Sequence, residues 1–343
     1  MTEFLHLIRS KYISTEQRVV PMDLAPKVQF FTMDVTGLVG LGKRFGMMKQ
    51  DRDVDDYLAS AAEGIYLANI VVATGLSWIL HAPVIGKYLM PSANDETGYG
   101  KLIAACFRAV DERVANPTDT RSDMLASFIR NGITGDDLRS EAIEQVLAGS
   151  ETTATAIRGI LLHVMTNLRV YAKLQREVDE FCATTVVVEN VDKEAGIISF
   201  AQARKLPYLQ AVIREGLRIF PPLAGFFPRD VPLDVPSGGD TVPLGDGRTV
   251  FIPGGTCISL VTTALHHSRE VYGDDAKSFR PERWFEPDPD KLEKMMEVND
   301  LIFGYGRFKC LGKPVAQIEL AKVLFEVSIK SSLDLLSNDG SSF

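Results

Sequence analysis

The sequence predicts a mainly α-helical protein with a minor β component. Apolar residues recur at helical spacing through most of the first 230 residues, whereas short strand-like runs are confined to the part that follows. Apolar residues make up 45% and charged residues 24% of the 343 positions, as is typical of soluble globular proteins. A chain of this length and composition can bury a large core, which excludes a disordered chain, a collagen-like repeat and a multi-span membrane protein.

The longest predicted helix begins near Thr134, in a Thr-Gly-Asp-Asp sequence whose polar side chains suit a helix N-terminus. Its apolar positions recur at helical spacing as far as Leu168, which makes it longer than the usual globular helix. Such a helix normally runs through the middle of a large domain. The other predicted helices are a short opening helix with Phe4, Leu5 and Ile8 on one face, and residues 123–130, 173–181, 206–220 and 314–329.

The β component follows the helix over residues 206–220, which we expect to stop at Pro221 and Pro222 because proline cannot donate to the helical ladder. Strand-like runs then occupy residues 249–252 and 257–261, with turns predicted at Asp246-Gly247 and Gly254-Gly255. The sequence contains no internal repeat and no low-complexity tract. We therefore expect residues 1–343 to form a single domain.

The charge and cysteine patterns exclude several function classes. The formal charge of −8 argues against nucleic acid as a partner, because phosphate binding needs a cationic surface. The four cysteines, Cys106, Cys182, Cys257 and Cys310, form no CxxC pair, so neither a zinc cluster nor a disulfide framework is indicated. No secretory signal is recognised at the start, and separate thiols suit a reducing compartment.

One uncharged stretch begins at Ile65 and ends at Gly86, which is long enough to cross a bilayer. Polar and breaking residues such as Asn69 and Pro83 dilute this signal. The sequence therefore favours a buried or membrane-skimming helical segment over a transmembrane helix, with peripheral membrane contact through this stretch.

The segment from Phe303 to Pro314 is the most informative for chemistry. Three glycines surround Cys310, and Pro314 suits the first turn of the helix that follows. Glycines allow tight turns that expose backbone amides, and a helix N-terminus favours negative charge, so both features favour a thiolate. The thiolate could act as a nucleophile, with His266 or His267 as its base, or ligate a haem iron. The alternative is a buried cysteine packed in a turn.

The long helix contains Ala148, Gly149, Ser150, Glu151, Thr152 and Thr153 in succession. Glycine inside a helix costs about 1 kcal/mol relative to alanine, and a threonine hydroxyl can bond to the carbonyl four residues back. These features suggest a local widening of the helix with a proton path. A helix crossing that requires small residues explains the same pattern.

Glu215 and Arg218 are three residues apart and share a helix face, so their charges can meet. Their apolar neighbours suggest partial burial, and a buried pair needs further hydrogen bonds. Arg283, in Pro281-Glu-Arg-Trp, could supply them. Alone, this short ExxR pattern arises by chance in chains of this size.

In this order, over about residues 136–329, these segments resemble the haem-thiolate monooxygenases of the cytochrome P450 family. The loop around Cys310 is similar to that of fungal microsomal members, pisatin demethylase among them. The resemblance implies that Cys310 is the axial ligand of haem b, and that Glu151 and Thr152 deliver protons beside the opening left by Ala148 and Gly149. It also implies a structural triad that locks the loop ahead of the cysteine, formed by Glu215, Arg218 and Arg283.

The resemblance further implies that Arg229 binds a haem propionate and that residues 223–227 lie near the substrate. Other cofactor-binding residues implied by the loop are Phe303, Gly304, Gly306, Arg307 and Gly312. One departure is Phe308, which stands where members often have a basic propionate contact. Arg307 lies one position further back, so we expect haem anchoring to be shared differently.

The implied function is insertion of one atom of dioxygen into a lipophilic small molecule, such as a fungal secondary metabolite or plant-defence compound. Electrons would come from a separate NADPH–cytochrome P450 reductase, for which a docking patch is predicted at Lys205, Arg307, Lys309 and Lys313. A merely solvated set of charges explains these residues equally well. Full-length members of this type lie on the cytoplasmic face of the endoplasmic reticulum membrane.

Relative to the family, we expect the chain to lack the N-terminal anchor, the first sheet portion and the early helices. The strands after the last helix are expected to be cut short at residues 333–343. These expectations support one alternative, a truncated and catalytically silent remnant that does not hold haem. A second alternative keeps the haem thiolate but rearranges an oxygenated substrate without a reductase.

Overall fold

The computed structural model describes residues 1–15, 17–76, 78–79, 82, 91–95, 99–116, 120–185, 196–223 and 228–330. The mainly helical prediction is confirmed. The helices, in chain order, are α1 (Thr2–Lys11), α2 (Leu24–Leu41), α3 (Met47–Gln50), α4 (Tyr57–Ala73), α5 (Tyr99–Ala115), α6 (Met124–Arg130), α7 (Gly135–Met165), α8 (Leu168–Thr185), α9 (Phe200–Ala203), α10 (Pro207–Ile219), α11 (Thr262–His266), α12 (Arg269–Tyr272), α13 (Pro289–Asp300) and α14 (Lys313–Lys330).

The chain divides into two compact units. The first comprises the described residues of Met1–Arg158, Thr185–Phe200 and Pro314–Phe343, and the second those of Gly159–Thr184 and Ala201–Lys313. The single domain expected from the sequence stays a prediction.

The first unit contains α1 to α6, the N-terminal part of α7 and most of α14. Aspartate side chains cap the N-termini of two of its helices, α2 and α6: Asp23 accepts a hydrogen bond from the Ala25 amide, and Asp123 accepts one from the Ala126 amide. The apolar stripe of α7 is buried, as its period predicted. Its most deeply buried residues in this unit are Leu138, Ala142, Val146, Ala154 and Ile157.

The second unit is organised around α10. Proline is the first residue of this helix, and α10 ends just before the Pro221-Pro222 pair, as predicted. A 3₁₀ turn over Pro281–Phe285 packs against α10, beside an apolar cluster of Ala211, Val271, Tyr272, Ala276, Trp284 and Met295. This packing places the side chains of α10 next to the segment that carries Arg283.

The β component of the second unit consists of two small antiparallel sheets. Strand β1 (Arg229–Asp230) pairs with β4 (Cys257–Ile258), and β2 (Gly239–Pro243) pairs with β3 (Thr249–Pro253). The turn predicted at Asp246-Gly247 joins β2 to β3, where Gly247 has φ +85°. Strand β4 is shorter than predicted, and β1 and β2 were not predicted.

The stretch from Ile65 to Gly86 is described only in part. Its first residues belong to α4, where Ile65, Tyr66 and Leu67 are exposed, so the buried interpretation is wrong for them. Within the described ranges, no helix is both long enough and apolar enough to span a membrane. Residues 224–227 of the expected substrate contact and the expected strand region 333–343 lie outside the described residues.

Candidate functional site

The predicted bond within α7 is present. The Thr152 hydroxyl donates to the Ala148 carbonyl at 2.7 Å. The helix nevertheless remains α-helical from Gly135 to Met165, without a widened turn at this point. Ala148 is exposed and Thr152 is partly exposed, so this pair forms an accessible face of the helix.

Gly149 lies on another face of α7, against α2. A Cβ atom at Gly149 would lie 2.9 Å from Cγ2 of Thr36, closer than real side-chain contacts. A side chain at this position would require Thr36 to shift, so glycine allows the close approach of the two helices here. For Gly149, the structure favours the helix-crossing interpretation that the sequence left open.

Glu151 is held by three donors in the first unit. Its carboxylate accepts hydrogen bonds from Nη2 of Arg158 at 2.9 Å, from the Thr155 hydroxyl at 3.4 Å and from the side-chain amide of Gln29. Arg158 lies seven residues, or about two helical turns, after Glu151, so the contact between them could have been predicted from helical spacing. Gln29 comes from α2, and no local pattern indicates it.

The backbone of the cysteine loop turns at its glycines. Gly304 and Gly306 have φ values of +73° and +63°, which favour glycine. The Cys310 amide donates to the Phe303 carbonyl at 2.7 Å and so closes the loop. Cys310 is an exposed free cysteine, which excludes the buried structural cysteine considered above.

Two guanidinium groups lie close to the Phe308 ring. The guanidinium carbon of Arg229 lies 4.3 Å from the centroid of the Phe308 ring, and that of Arg307 lies 4.6 Å from it. The Phe308 side chain is itself 53% exposed. The Phe308 ring thus lies beside two cations at the cysteine loop, although position 308 itself has no basic residue.

The loop fits the thiolate side of a haem site. A haem needs a soft thiolate ligand, an apolar surface for the macrocycle and cations for its two carboxylates. Cys310 could provide the ligand, the exposed Phe308 and Leu311 could provide apolar surface, and Arg229 and Arg307 could provide charge. At Gly312, a Cβ atom would meet only the Cys310 sulfur, at 3.8 Å, so the missing side chain leaves space beside the thiol.

Glu215, Arg218 and Arg283 meet in the second unit, as predicted. Nε and Nη2 of Arg218 donate to Glu215 at 2.9 and 2.8 Å, and Nε of Arg283 donates to both carboxylate oxygens at 3.0 and 3.1 Å. All three side chains are buried. Such a buried set persists only when its remaining hydrogen-bond groups are satisfied.

Two further donors complete the environment of Glu215. The indole nitrogen of Trp284 donates to it at 3.1 Å, and the backbone amide of Arg280 donates at 2.8 Å. The two guanidiniums meanwhile donate to a series of backbone carbonyls, namely those of His266, Tyr272, Asp275, Ala276 and Ser278. The triad therefore fixes the path of the backbone between α11 and the 3₁₀ turn at Pro281–Phe285.

Asp300 joins the two ends of the cysteine segment, a contact that sequence reasoning missed. Its carboxylate accepts from Nη1 of Arg214 on α10 and from Nζ of Lys313, each at 3.0 Å. Burial alone raises the pKa of Asp300, but Lys313 and Arg214 outweigh it and lower that pKa below its usual range. The ion pair of Asp300 with Lys313 therefore joins the two residues that flank segment 301–312. The ion pair of Asp300 with Arg214 links this segment to α10.

Neither histidine considered as a base contacts Cys310. Nε2 of His266 lies 3.3 Å from the Val298 carbonyl, and Nε2 of His267 lies 3.3 Å from the Ile219 carbonyl. Burial lowers the pKa of His266 to about 4, so this ring is neutral at pH 7. The geometry therefore favours the metal-ligand interpretation of Cys310 over a Cys–His nucleophile.

The structure brings the predicted residues together in two groups. The cysteine loop with Arg229 and the triad belong to the second unit, and the residues from Ala148 to Thr152 belong to the first. Among the described residues, no cluster of histidine, cysteine or carboxylate side chains could hold a metal ion through several protein ligands.

Comparison with known proteins identifies the family. The family model described as Cytochrome P450 matches residues 2–327. The chain belongs to the cytochrome P450 family. It is similar to the cytochrome P450 monooxygenase ABA1 of Pyricularia oryzae, with 39% identity over 95% of this chain and 62% of that protein.

Two other fungal relatives are similar to nearly all of this chain, which again matches only part of their length. The cytochrome P450 monooxygenase aba1 of Botryotinia fuckeliana is 39% identical over 96% of this chain and 62% of its own length. The cytochrome P450 monooxygenase abl1 of Leptosphaeria maculans is 33% identical over 94% of this chain and 55% of its own length. The chain thus spans about three fifths of the length of the curated relatives it matches.

Proposed function

We propose that this chain carries a haem-thiolate monooxygenase activity that inserts one atom of dioxygen into a lipophilic small molecule. The observation that carries the proposal is the exposed Cys310 on its glycine-turned loop, beside an aromatic ring that holds two guanidiniums. Bound haem would supply dioxygen activation, which electron donation from a thiolate ligand promotes.

The residues of the second unit would hold the cofactor. Cys310 would supply the axial ligand, and Arg229 and Arg307 would neutralise the two haem carboxylates. Asp300 would keep the ends of the cysteine segment together through Lys313, and the triad around Glu215 would keep the preceding backbone in place. These residues would thus hold the cofactor and its loop in place and balance the cofactor's negative charge.

The residues of α7 would handle protons. The Thr152 hydroxyl donates a hydrogen bond to the Ala148 carbonyl, so its oxygen is left to accept a hydrogen bond from a proton donor. Rotation of the hydroxyl away from that carbonyl would let it release its own proton as it takes up the donor's. Glu151 is anchored by Arg158 and Gln29, which hold its carboxylate in place. In this proposal Thr152 relays the proton and Glu151 supplies it from the solvent side.

The first experiment is the carbon-monoxide difference spectrum of the full chain after haem supplementation and reduction. We expect the strongly red-shifted Soret band of a thiolate ligand, its loss in Cys310→Ala, and no change in Cys257→Ala, since Cys257 is also exposed. A red-shifted band that survives Cys310→Ala would contradict the assigned ligand. Failure to take up haem would contradict the activity and favour the silent remnant.

The proton role is tested with Thr152→Ala. We expect this variant to bind haem normally but to divert reducing equivalents to peroxide, because the relay oxygen is gone. Thr166→Ala is the matched control, since Thr166 makes the same 2.7 Å bond to the carbonyl four residues back. Peroxide formation is measured against reductant consumed, and equal coupling in the two variants would remove Thr152 from the proton path.

Partners and location belong to the same proposal. The similarity to fungal relatives supports assignment to the fungal microsomal type, to which the resemblance of the cysteine loop to pisatin demethylase also points. The substrate would then be a secondary metabolite or a plant-defence compound. An NADPH–cytochrome P450 reductase would dock at the basic residues around the cysteine loop. The exposed apolar side chains of Ile65, Tyr66 and Leu67 support peripheral contact with the endoplasmic reticulum membrane.

A further inference from the structure

Lys313, the first residue of α14, has a charge that is unfavourable at that place in a helix. The N-terminus of a helix carries a partial positive charge, so a lysine there needs other groups to hold its ammonium. The Lys313 side chain is nevertheless only 18% exposed. Its Nζ donates to Asp300 at 3.0 Å and lies 5.0 Å from the centroid of the Phe303 ring. The reason for a lysine at this position therefore lies outside its own helix.

Phe303 connects Lys313 to the cysteine. The Phe303 ring contacts the Lys313 ammonium, and the Phe303 carbonyl accepts a hydrogen bond from the Cys310 amide at 2.7 Å. Phe303 is half-buried, whereas Cys310 is exposed. A displacement of the ring would move the carbonyl that closes the cysteine loop. The side chain of Lys313 thus holds the residue whose backbone holds Cys310.

The Lys313 ammonium is also connected to α10, through Asp300. The other carboxylate oxygen of Asp300 accepts from Nη1 of Arg214 at 3.0 Å, and the guanidinium carbon of Arg214 lies 5.4 Å from the centroid of the Trp284 ring. The Trp284 indole in turn donates to the buried Glu215. A continuous series of contacts therefore joins the buried triad to the cysteine loop, and all of it belongs to the second unit.

Two simpler explanations of Lys313 do not account for these contacts. A merely solvated lysine would be exposed, as Lys309 of the same loop is. A lysine that only neutralises Asp300 needs no aromatic ring, and Arg214 already pairs with that carboxylate. The contact with the Phe303 ring is what distinguishes Lys313 from a lysine of either kind.

We propose that Lys313 is a positioning residue for Cys310. Its ammonium holds the Phe303 ring, and through the Phe303 carbonyl it keeps the cysteine loop closed before haem binds. The loop then presents the Cys310 thiol in one arrangement, so haem binding does not have to order it. The inference rests on the proposed function, in which Cys310 is the haem ligand, and adds Lys313 to the residues on which that ligand depends.

Hydrogen exchange at the Cys310 amide of the haem-free full chain tests the proposal. We expect Lys313→Met to lower the protection factor of that amide by about fivefold or more, because local opening no longer breaks the contacts of the ammonium. If Lys313 were only an unfavourable charge at a helix N-terminus, its removal would raise the protection factor instead. A raised or unchanged protection factor would therefore overturn the proposal.

Two further lysine variants separate the role of this charge from that of any charge nearby. Lys309→Met removes an exposed lysine of the same loop and should leave the protection factor unchanged. Lys313→Arg keeps the charge and should retain most of the protection. A loss in either variant as large as that in Lys313→Met would overturn the proposal. The amides of α10 report whether each variant is folded, and Lys313→Gln replaces Lys313→Met should those amides lose protection.

The route through the ring is tested by a double-mutant cycle with Phe303→Leu. We expect Lys313→Met to change the protection of Cys310 less in the Phe303→Leu chain than in the parent chain, and an equal change in both would overturn the proposal. These exchange measurements do not need haem. Failure of the parent chain to take up haem would refute the proposed function, and the exchange results distinguish that failure from a failure of Lys313 to hold the loop.

Discussion

Replacing Glu319 with Gln is expected to remove a pH-dependent loss of stability. Glu319 lies on α14 with only 4% of its surface exposed. Neither of its carboxylate oxygens has a hydrogen-bond partner among the described residues. Burial therefore raises the pKa of Glu319 from 4.5 to about 8, although the amino group of Met1 acts in the opposite direction.

The sign and size of the effect follow from the two pKa values. Between pH 4.5 and about 8, the unfolded chain releases the Glu319 proton while the folded chain keeps it. The free energy of unfolding therefore falls as pH rises through this interval, by about 1.4 kcal/mol per pH unit. The accumulated loss is on the order of 4 to 5 kcal/mol at pH 8 and stays constant above it.

The assay is urea unfolding of parent and Glu319→Gln at pH 4.5 and at pH 8.5. The difference between the two proteins is the readout, because their other ionisable groups are the same. We expect little difference at pH 4.5 and a more stable variant at pH 8.5. Glu297→Gln, at an exposed position of α13, should change stability by less than about 0.5 kcal/mol at both pH values. A stability difference for Glu319→Gln that is equal at the two pH values would refute the reasoning.

Two further predictions concern the second unit. Glu215→Gln should cost about 3 to 5 kcal/mol in urea unfolding, because two buried guanidiniums lose their shared charge. Asp275→Asn should cost less, since the Asp275 side chain is 38% exposed, and equal costs would show that burial does not set the energy. Asp300→Asn should release Lys313 and Arg214 and speed the transfer of haem to an acceptor globin. An unchanged transfer rate, relative to Glu297→Gln, would show that the pair does not hold the cysteine segment.

The sequence predicted those helices whose apolar period is long. Helices α7, α10 and α14 fall within three residues of their expected ends, because a repeated period fixes both the type and the extent of an element. Strands β1 and β4 have two residues each, which is too short to carry an alternating pattern. Their existence depends on pairing across the chain, and no local signal encodes that.

Contacts within a motif were predictable from spacing, whereas most contacts between motifs were not, the predicted contact of Arg283 with Glu215 being an exception. The bond from Thr152 to Ala148 and the pair of Glu215 with Arg218 follow from helical spacing. Trp284 and Gln29 reach their carboxylates only because separate segments pack together. The close approach of α2 to Gly149 is of the same kind, since it depends on Thr36 rather than on anything adjacent in the chain.

Phe308 shows why residue type alone misstates the charge of a site. The sequence has a neutral aromatic residue where a basic one is common, which suggests a weaker positive field at the cysteine loop. In the structure the ring attracts the guanidiniums of Arg229 and Arg307 through its negative face, and so brings two cations to the position of one. Arg229 is 79 residues away from Phe308 in the sequence, so only folding places its charge at the loop. The departure from the family pattern therefore redistributes the positive charge and does not remove it.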